Sequence, residues 1–161
     1  ILQRGEPDLE PVSALHLFNS VMQIMKTDLH SSGVIVSRKI PKRPPTLLAD
    51  RIPVEQVLIN LIKNALEAMQ DNGARGKSLI LSCAAEGAGI RFSIRDNGCG
   101  LPESIDSIFE AFHTTKADGL GLGLKICNTI IQAHGGKLWA ENNKGRGACF
   151  HFHLPLRPES I

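Results

Sequence analysis

Three glycines at every second position, in Gly119-Leu-Gly-Leu-Gly-Leu124, are the feature that most constrains this chain. Alternating glycines let a backbone approach a ligand without a side-chain clash. The amphipathic stretch that follows, Lys125 to His134, predicts a helix whose unpaired N–H groups and positive dipole end face this segment. The pattern is typical of an anion site, with phosphate as the expected ligand. Glycines alone leave open a flexible loop that caps an ordinary helix.

The order of the hydrophobic patterns indicates the fold class. They predict a helix from Pro11 to about His30, a strand over Val34 to Ile40, a helix over Arg51 to Gln70 capped by Asp50, strands over Ser78 to Ala84 and Ile90 to Arg95, and a hairpin formed by Lys137 to Asn142 and Ala148 to Leu154. Without strict βαβ alternation, this order favours an α+β two-layer sandwich. We expect a mixed, mainly antiparallel sheet of about five strands, covered on one face by about three helices. A P-loop domain fits poorly, because the chain contains no Gly-x-x-x-x-Gly-Lys-Ser/Thr.

Composition excludes several classes of partner. The 161 residues are 42% hydrophobic, which is enough for a sizeable core. The formal charge is only +2 and the basic residues are scattered, so we expect no nucleic-acid surface. The four isolated cysteines indicate free thiols in a reducing compartment. No apolar run approaches the roughly 18 residues of a membrane span, so we expect no membrane contact from this stretch. The start at Ile1 suggests a piece of a longer protein, with the cytoplasm as its expected location even if that parent is anchored in a membrane.

Three polar residues share one wall of the predicted helix from Arg51 to Gln70. At 100° per residue, Asn60, Asn64 and Glu67 fall within roughly 60° of one another, on a face opposite the apolar stripe. Magnesium keeps several waters and takes only one or two protein oxygens besides phosphate oxygens, so a single asparagine carbonyl is sufficient. A plain solvated helix face is the alternative.

A second polar cluster follows the predicted strand that ends near Asp96. A carboxylate at the rim of an apolar pocket can accept a hydrogen bond from an exocyclic amine, which is a way to select adenine. Gly98 and Gly100 permit a tight loop beneath such a ligand. The same Asp-x-Gly-x-Gly pattern is also a common turn.

The segment from Ile108 to Lys116 is the third candidate. Phe109 and Phe112 are placed to hold a loop against the core, with Lys116 outside as a mobile positive charge over phosphates. An ordinary solvated lysine is the alternative.

Together, in this order and spacing, these motifs resemble the catalytic, ATP-binding domain of sensor histidine kinases, in the superfamily of gyrase, heat-shock chaperone, histidine kinase and mismatch-repair ATPases. The resemblance extends over roughly Pro11 to Pro155 and implies the Bergerat ATP-binding fold. The matching boxes are the N box Asn60-Leu-Ile-Lys-Asn-Ala65, the G1 box Asp96-Asn-Gly-Cys-Gly100, the F box Phe109 to Phe112, the G2 box Gly119 to Leu124 and the last glycine box Gly145 to Phe150.

The resemblance implies a role for each matched residue. Asn64 becomes the Mg²⁺ ligand, Asn60 a polar contact to the phosphate or metal region, and Asp96 the carboxylate that recognises adenine. The other implied ATP-binding residues are Glu67, Gly98 and Gly100, the short lid residues His113, Thr114, Thr115 and Lys116, and the phosphate-side loop Gly119, Leu120, Gly121, Leu122, Gly123 and Leu124. Asn60, Asn64 and Lys116 are the implied catalytic residues, and ATP and Mg²⁺ the implied cofactors.

Two positions, Glu67 and Ala148, depart from common family patterns. Glu67 stands where many members carry a basic residue, so Lys116 or Lys63 is expected to compensate, and Ala148 replaces a threonine hydroxyl beside the base. Asn60 stands where hydrolytic relatives carry a general-base glutamate. Because an amide cannot take a proton at neutral pH, we expect slow hydrolysis and transfer to a better-placed nucleophile.

The implied acceptor is a histidine on a helical hairpin that precedes this domain. None of the six histidines lies in the acceptor motif, and those outside the lid are interpreted as structural or exposed: His16, His30, His134, His151 and His153. The implied partners are that hairpin and a response-regulator receiver domain, with a homodimeric parent and a monomeric fragment. We expect residues 1–10 to be a linker or the remnant of a helical domain, 11–155 the ATP-binding domain and 156–161 a tail.

Two alternatives remain open at this point. One is a regulatory or docking module that binds ATP without transferring phosphate, and the other is a serine kinase or anti-sigma-type regulator on the same fold.

Overall fold

The structure is a computed structural model that describes residues 6–101 and 120–156, without the side chains of residues 120–122. Five strands form its main sheet in the order β2-β4-β5-β7-β6. The bounds of these strands are β2 Ile35–Lys39, β4 Ser78–Glu86, β5 Gly89–Asp96, β6 Lys137–Asn142 and β7 Ala148–Pro155. Only the β2–β4 pair is parallel. The predicted mixed, mainly antiparallel sheet is therefore confirmed.

Helices cover one face of this sheet. They are α1 Ala14–Ile24, α2 Lys26–Ser32, α3 Arg51–Ala68 and α4 Leu120–Ala133, with a short 3₁₀ turn over Gly73–Arg75. The core lies between the two layers, where Phe92 stacks on Phe152 with ring centroids 4.8 Å apart and Phe18 of α1 packs 5.7 Å from Phe92. This is the α+β two-layer sandwich expected from the sequence. In the described part of the chain, no helix is apolar and long enough to cross a membrane.

The N-terminal region differs from the prediction in two ways. The single helix predicted from Pro11 to His30 is two helices, because Met25 leaves the helical conformation at φ −95°, ψ 10°. A small separate sheet also forms, in which β1 (Glu10–Ser13) pairs antiparallel with β3 (Thr46–Ala49). Strand β1 thus begins inside the segment that was expected to be a linker.

Helix α3 begins where the sequence predicts, directly after Asp50. The Asp50 side chain does not cap the helix, and its Oδ2 instead accepts a hydrogen bond from the backbone N–H of Asp8 at 3.2 Å. The Asp50 backbone N–H donates to Nε2 of the buried His134 at 3.0 Å, and the Nδ1 of His134 lies 2.9 Å from the Ile130 carbonyl oxygen. His134 therefore ties the end of α4 to the start of α3, which is a structural role.

Candidate functional site

Helix α3 carries the three polar residues that the sequence singles out. Asn60, Asn64 and Glu67 are all half-buried, so they do not form the open solvated face that was the alternative. The Nδ2 atom of Asn64 is buried and has no hydrogen-bond partner among the described residues. A buried unpaired amide is costly unless a ligand satisfies it. Asn64 therefore has the properties expected of a ligand-contacting residue.

The amide of Asn60 faces helix α4. Its Nδ2 donates to the Cys127 thiol at 3.7 Å, while its Oδ1 accepts from Gln56 Nε2 at 3.1 Å. Cys127 lies one turn after Gly123 on α4. The structure thus brings the N-box helix next to the start of the glycine-led helix.

The glycine-led helix starts earlier than predicted, at Leu120 instead of Lys125. Gly121 and Gly123 consequently lie in its first turns, where backbone N–H groups lack partners within the helix. The first turn contains no acidic residue. A Cβ at Gly123 would meet no described atom within 4 Å, so packing does not explain this glycine. Leu124 is a core residue, which leaves only its backbone for the predicted nucleotide contact.

Asp96 is the last residue of β5 and is 3% exposed. Its Oδ1 accepts hydrogen bonds from the backbone N–H groups of Gly98 at 2.8 Å and Ala148 at 3.3 Å. Burial raises the pKa of the Asp96 carboxyl, and these two hydrogen bonds oppose the rise. Since the Ala148 contact comes from the backbone, it does not need the threonine that is common at that position.

The loop after Asp96 packs against the end of α3. The Cys99 backbone N–H donates to the Ala68 carbonyl oxygen at 2.9 Å. At Gly98, an added Cβ would lie 2.3 Å from that same oxygen, so the close approach of loop and helix requires glycine. Ala68 is one turn beyond Asn64. Helix α3 is therefore a common wall for the residues proposed at the phosphate end and the loop proposed at the base end.

This contact yields a prediction for the stability of the domain. Gly98→Ala is expected to lower the free energy of unfolding by about 2 kcal/mol or more, because backbone atoms must move to admit the methyl group. Gly145→Ala is the matched control: a Cβ there meets nothing within 4 Å, so the change is expected to stay within about 0.5 kcal/mol. Urea unfolding of both variants measures the difference. Equal stabilities would contradict the described packing.

Three asparagines that hold this loop were not predicted from the sequence. Asn72, Asn142 and Asn143 lie outside every box, yet their side chains bind the backbone of residues 96–101. Only the proximity of Asn142 and Asn143 to the last glycine box offered a sequence signal, since isolated asparagines in turns are common.

The other predicted residues fall into two groups. His113, Thr114, Thr115, Lys116, Gly119 and the F box lie outside the described residues. Among the histidines interpreted as structural or exposed, His151 is buried between Ser93 Oγ at 2.7 Å and Glu141 Oε2 at 2.8 Å, and it stacks on Trp139. These contacts link β5, β7 and β6 on the face of the sheet away from the helices.

The cysteines match the expectation of free thiols. Burial raises the pKa of the thiols of Cys83, Cys127 and Cys149 to about 11, so all three are protonated packing residues at neutral pH. Cys99 is exposed in the loop that follows Asp96.

Known proteins resemble this chain in sequence and in fold. Residues 49–158 match the family described as "Histidine kinase-, DNA gyrase B-, and HSP90-like ATPase". The sensor protein FixL of Bradyrhizobium diazoefficiens is 43% identical over 158 residues, and the sensor histidine kinase TmoS of Ectopseudomonas mendocina is 36% identical over 158 residues. These alignments cover 98% and 96% of this chain, but only 31% of FixL and 16% of TmoS. The chain thus spans less than a third of either curated relative.

Solved structures show the same similarity over nearly the whole fold. The nucleotide-free catalytic domain of the histidine kinase ThkA superposes with a TM-score of 0.84 at 31% identity, covering 94% of this chain and 97% of that domain. ThkA in complex with the response regulator TrrA gives a TM-score of 0.80 at 29% identity, covering 95% of this chain and 43% of that one. With the matched family model, these likenesses show that the chain belongs to the histidine kinase-, gyrase B- and HSP90-like ATPases and is an ATP-binding catalytic domain of the histidine kinase type.

Proposed function

We propose that this domain binds ATP with Mg²⁺ and donates the γ-phosphoryl group to a histidine on a helical hairpin of its parent protein. The observation that carries the proposal is the common wall formed by α3. Asn60 and Asn64 lie on one stretch of that helix, and the loop that starts at Asp96 packs on Ala68 one turn further on. This spacing suits a ligand with a base at one end and phosphates at the other.

Asn64 is the residue we propose for the magnesium ion. Its amide is partly buried with an unpaired atom, and a half-turn of the amide exchanges its nitrogen and oxygen. The same position can therefore offer a donor to a phosphate oxygen or a carbonyl oxygen to a hard cation. When bound, Mg²⁺ would neutralise phosphate charge. The residues of the chain contribute orientation, through the α3 amides and the first-turn N–H groups of α4.

Slow hydrolysis follows from the chemistry of Asn60. An amide cannot accept a proton from water at neutral pH, and this amide is already engaged by Gln56 and Cys127. The γ-phosphoryl group is thus available to an imidazole nitrogen of the hairpin, with ADP as the leaving group. Lys116, in the lid, stays a proposed contact to the phosphates.

The hairpin has a suitable docking surface next to these residues. A groove of about 860 Å³ lies between the first half of α3 and the outer side of α4, with the apolar lining residues Ile52, Pro53, Ile126 and Ile130. The side chains of Ile52 and Ile126 are 60% and 44% exposed. Glu6 and Pro7 also line it, so the described segment just before β1 runs along this groove. A helix docked here would be close to the proposed phosphate end, because both helices that form the groove also carry that end.

The remaining partners follow from the relatives. The ThkA structure with TrrA supports a response-regulator receiver domain as the protein that takes the phosphoryl group onward. We further propose a homodimeric parent, a monomeric isolated domain bounded near residues 11 and 155, and a location in the cytoplasm of a bacterium.

Phosphotransfer in trans tests the function. The chain is incubated with γ-labelled ATP, Mg²⁺ and the parent's hairpin, and we expect acid-labile label on the hairpin together with ADP binding in calorimetry. Adenine nucleotide that binds without labelling the hairpin would favour the regulatory module instead. Acid-stable label on a partner would point to a serine kinase, and a failure to bind adenine nucleotide would refute all three hypotheses.

The groove makes a separate prediction. Ile126→Glu is expected to slow hairpin labelling at least tenfold, because it places a charge in an apolar interface, while ADP affinity stays unchanged. Ile35→Glu is the matched control, since Ile35 is 73% exposed on β2 at the far edge of the sheet. Steady-state labelling as a function of hairpin concentration measures both. A similar loss in both variants would contradict docking at the groove.

A further inference from the structure

The six-residue loop from Asp96 to Leu101 has a feature that the proposed function does not use. It carries the carboxylate and glycines proposed to recognise adenine, yet asparagine side chains from two other segments bind its backbone. Asn143 and Asn142 reach it from the end of β6, and Asn72 from the turn after α3. Each of them satisfies a backbone group of the loop.

Asn143 acts on the loop as a hydrogen-bond donor. Its Nδ2 donates to the Asp96 carbonyl oxygen at 2.8 Å and to the Arg146 carbonyl oxygen at 3.1 Å. Its Oδ1 accepts from Arg95 Nη1 at 2.6 Å, which fixes which end of the amide faces Asp96. Both the nitrogen and the oxygen of this amide are thus hydrogen-bonded. Only a side chain with a hydrogen-bond donor at this position can bond to the Asp96 carbonyl oxygen.

Asn142 has the opposite role. Its Oδ1 accepts a hydrogen bond from the Leu101 backbone N–H at 2.8 Å, at the other end of the loop. A Cβ on Gly100, which has φ +85°, would lie 3.0 Å from the same oxygen. The loop therefore needs an acceptor from Asn142.

Asn72 supports the middle of the loop from the α3 side. It is 5% exposed, and its Nδ2 donates to the Asn97 carbonyl oxygen and to Asn97 Oδ1, both at 3.1 Å, as well as to the Gly76 carbonyl oxygen at 2.7 Å. Asn97 Oδ1 in turn accepts from the Ser78 backbone N–H at 3.0 Å. The loop is thereby fixed to the start of β4.

We propose that Asn72 and Asn143 are positioning residues that set the preference for adenine, because the hydrogen bonds that they donate hold this loop in the geometry that aims Asp96. The inference rests on the proposed function. The direction of the Asp96 carboxylate depends on Gly98 N–H and Ala148 N–H, and Gly98 keeps its place only while the loop does. Side-chain amides that bond to the loop backbone before a ligand binds reduce the free-energy cost of ordering the loop on binding.

The neighbouring residues Asn142, the last of β6, and Asn143, directly after it, allow a matched test. Asn143→Asp and Asn142→Asp are the same isosteric change, which removes two donors, keeps an acceptor and adds one negative charge. We expect Asn143→Asp to weaken ADP binding about tenfold and to narrow the preference for ADP over inosine diphosphate, which lacks the exocyclic amine. Asn142→Asp retains its acceptor and is expected to bind ADP within about threefold of the unaltered chain.

Calorimetry with both nucleotides gives the affinities, and thermal melting reports the folded fraction. A merely structural asparagine would lower the melting temperature without moving the ratio of the two affinities. Asn72→Ala is the third variant, and we expect it also to lower the ratio of the affinity for ADP to the affinity for inosine diphosphate. The proposal is overturned if Asn142→Asp and Asn143→Asp act alike, or if neither Asn143→Asp nor Asn72→Ala changes the ratio. If the unaltered chain binds no adenine nucleotide, the proposed function fails instead.

Discussion

Asp96→Asn is expected to weaken ADP binding at least about 100-fold while leaving the fold intact. In the folded chain, Oδ1 at this position is held by the N–H groups of Gly98 and Ala148. An asparagine keeps those two bonds only by turning its Nδ2 toward the base, where a donor then faces the donor amine of adenine. Inosine diphosphate presents an oxygen there instead, so the variant is expected to prefer it.

The same variant is expected to be more stable than the unaltered domain at neutral pH. Because burial raises the pKa of the Asp96 carboxyl on folding, ionising it in the folded state costs stability as the pH rises through the folded pKa. Asparagine carries no charge, so at pH 7 we expect a gain in melting temperature. The gain disappears at acidic pH, where the carboxyl is protonated in both the folded and the unfolded state.

Melting curves between pH 3 and 8, with calorimetry for ADP and inosine diphosphate, measure both effects. Glu86→Gln is a suitable control, because it removes an exposed carboxylate far from the loop, which pairs with Arg91 at 3.0 Å. A variant that still binds ADP as tightly as the unaltered chain would refute the assignment of Asp96. A stability gain that persists at pH 3 would refute its electrostatic cause.

Asn64→Ala is expected to abolish the dependence of ATP binding on Mg²⁺ and to reduce hairpin labelling about 100-fold. Removal of the amide takes away the one oxygen that we propose for the ion. Little stability should be lost, since the substitution also removes a buried nitrogen that has no partner in the described structure.

The measurement is ATP affinity with and without excess EDTA. Asn64→Asp keeps an oxygen at the same place and should recover part of the response to Mg²⁺. Gln70→Ala, an exposed change just after α3, serves as the control. If Asn64→Ala binds ATP with an unaltered response to Mg²⁺, another residue holds the ion.

Periodic segments were the best-predicted part of the fold. Helix α3 and the two hairpins have the predicted type and order, because each has a hydrophobic pattern of one period along its length. The break at Met25 was missed because the apolar spacing continues through it. The β1–β3 pair was missed because its four residue pairs join segments more than 30 residues apart. A local hydrophobic pattern does not indicate which distant segment a strand pairs with.

The site was predicted less evenly. Asp96 and Gly98 remain predicted nucleotide contacts; the structure shows that the Asp96 carboxylate accepts from the Gly98 N–H and that the packing on Ala68 requires glycine at position 98. The start of α4 at Leu120 could not be predicted, since glycines argue against a helix while the packing of Leu124 and Cys127 in the core favours one. The asparagines around the loop depend on tertiary contacts alone.

The small β1–β3 sheet has a mechanical consequence. Glu10 pairs with Ala49, so the chain enters β1 and leaves β3 at the same end of the ribbon. Tension on the segment that precedes β1 therefore separates the residue pairs of the ribbon one at a time, beginning with Glu10 and Ala49. Ala49 adjoins Asp50, the residue directly before α3. Because the Asp8 backbone N–H also bonds to Asp50, force from upstream would act early on the start of α3, the helix that carries the proposed magnesium ligand.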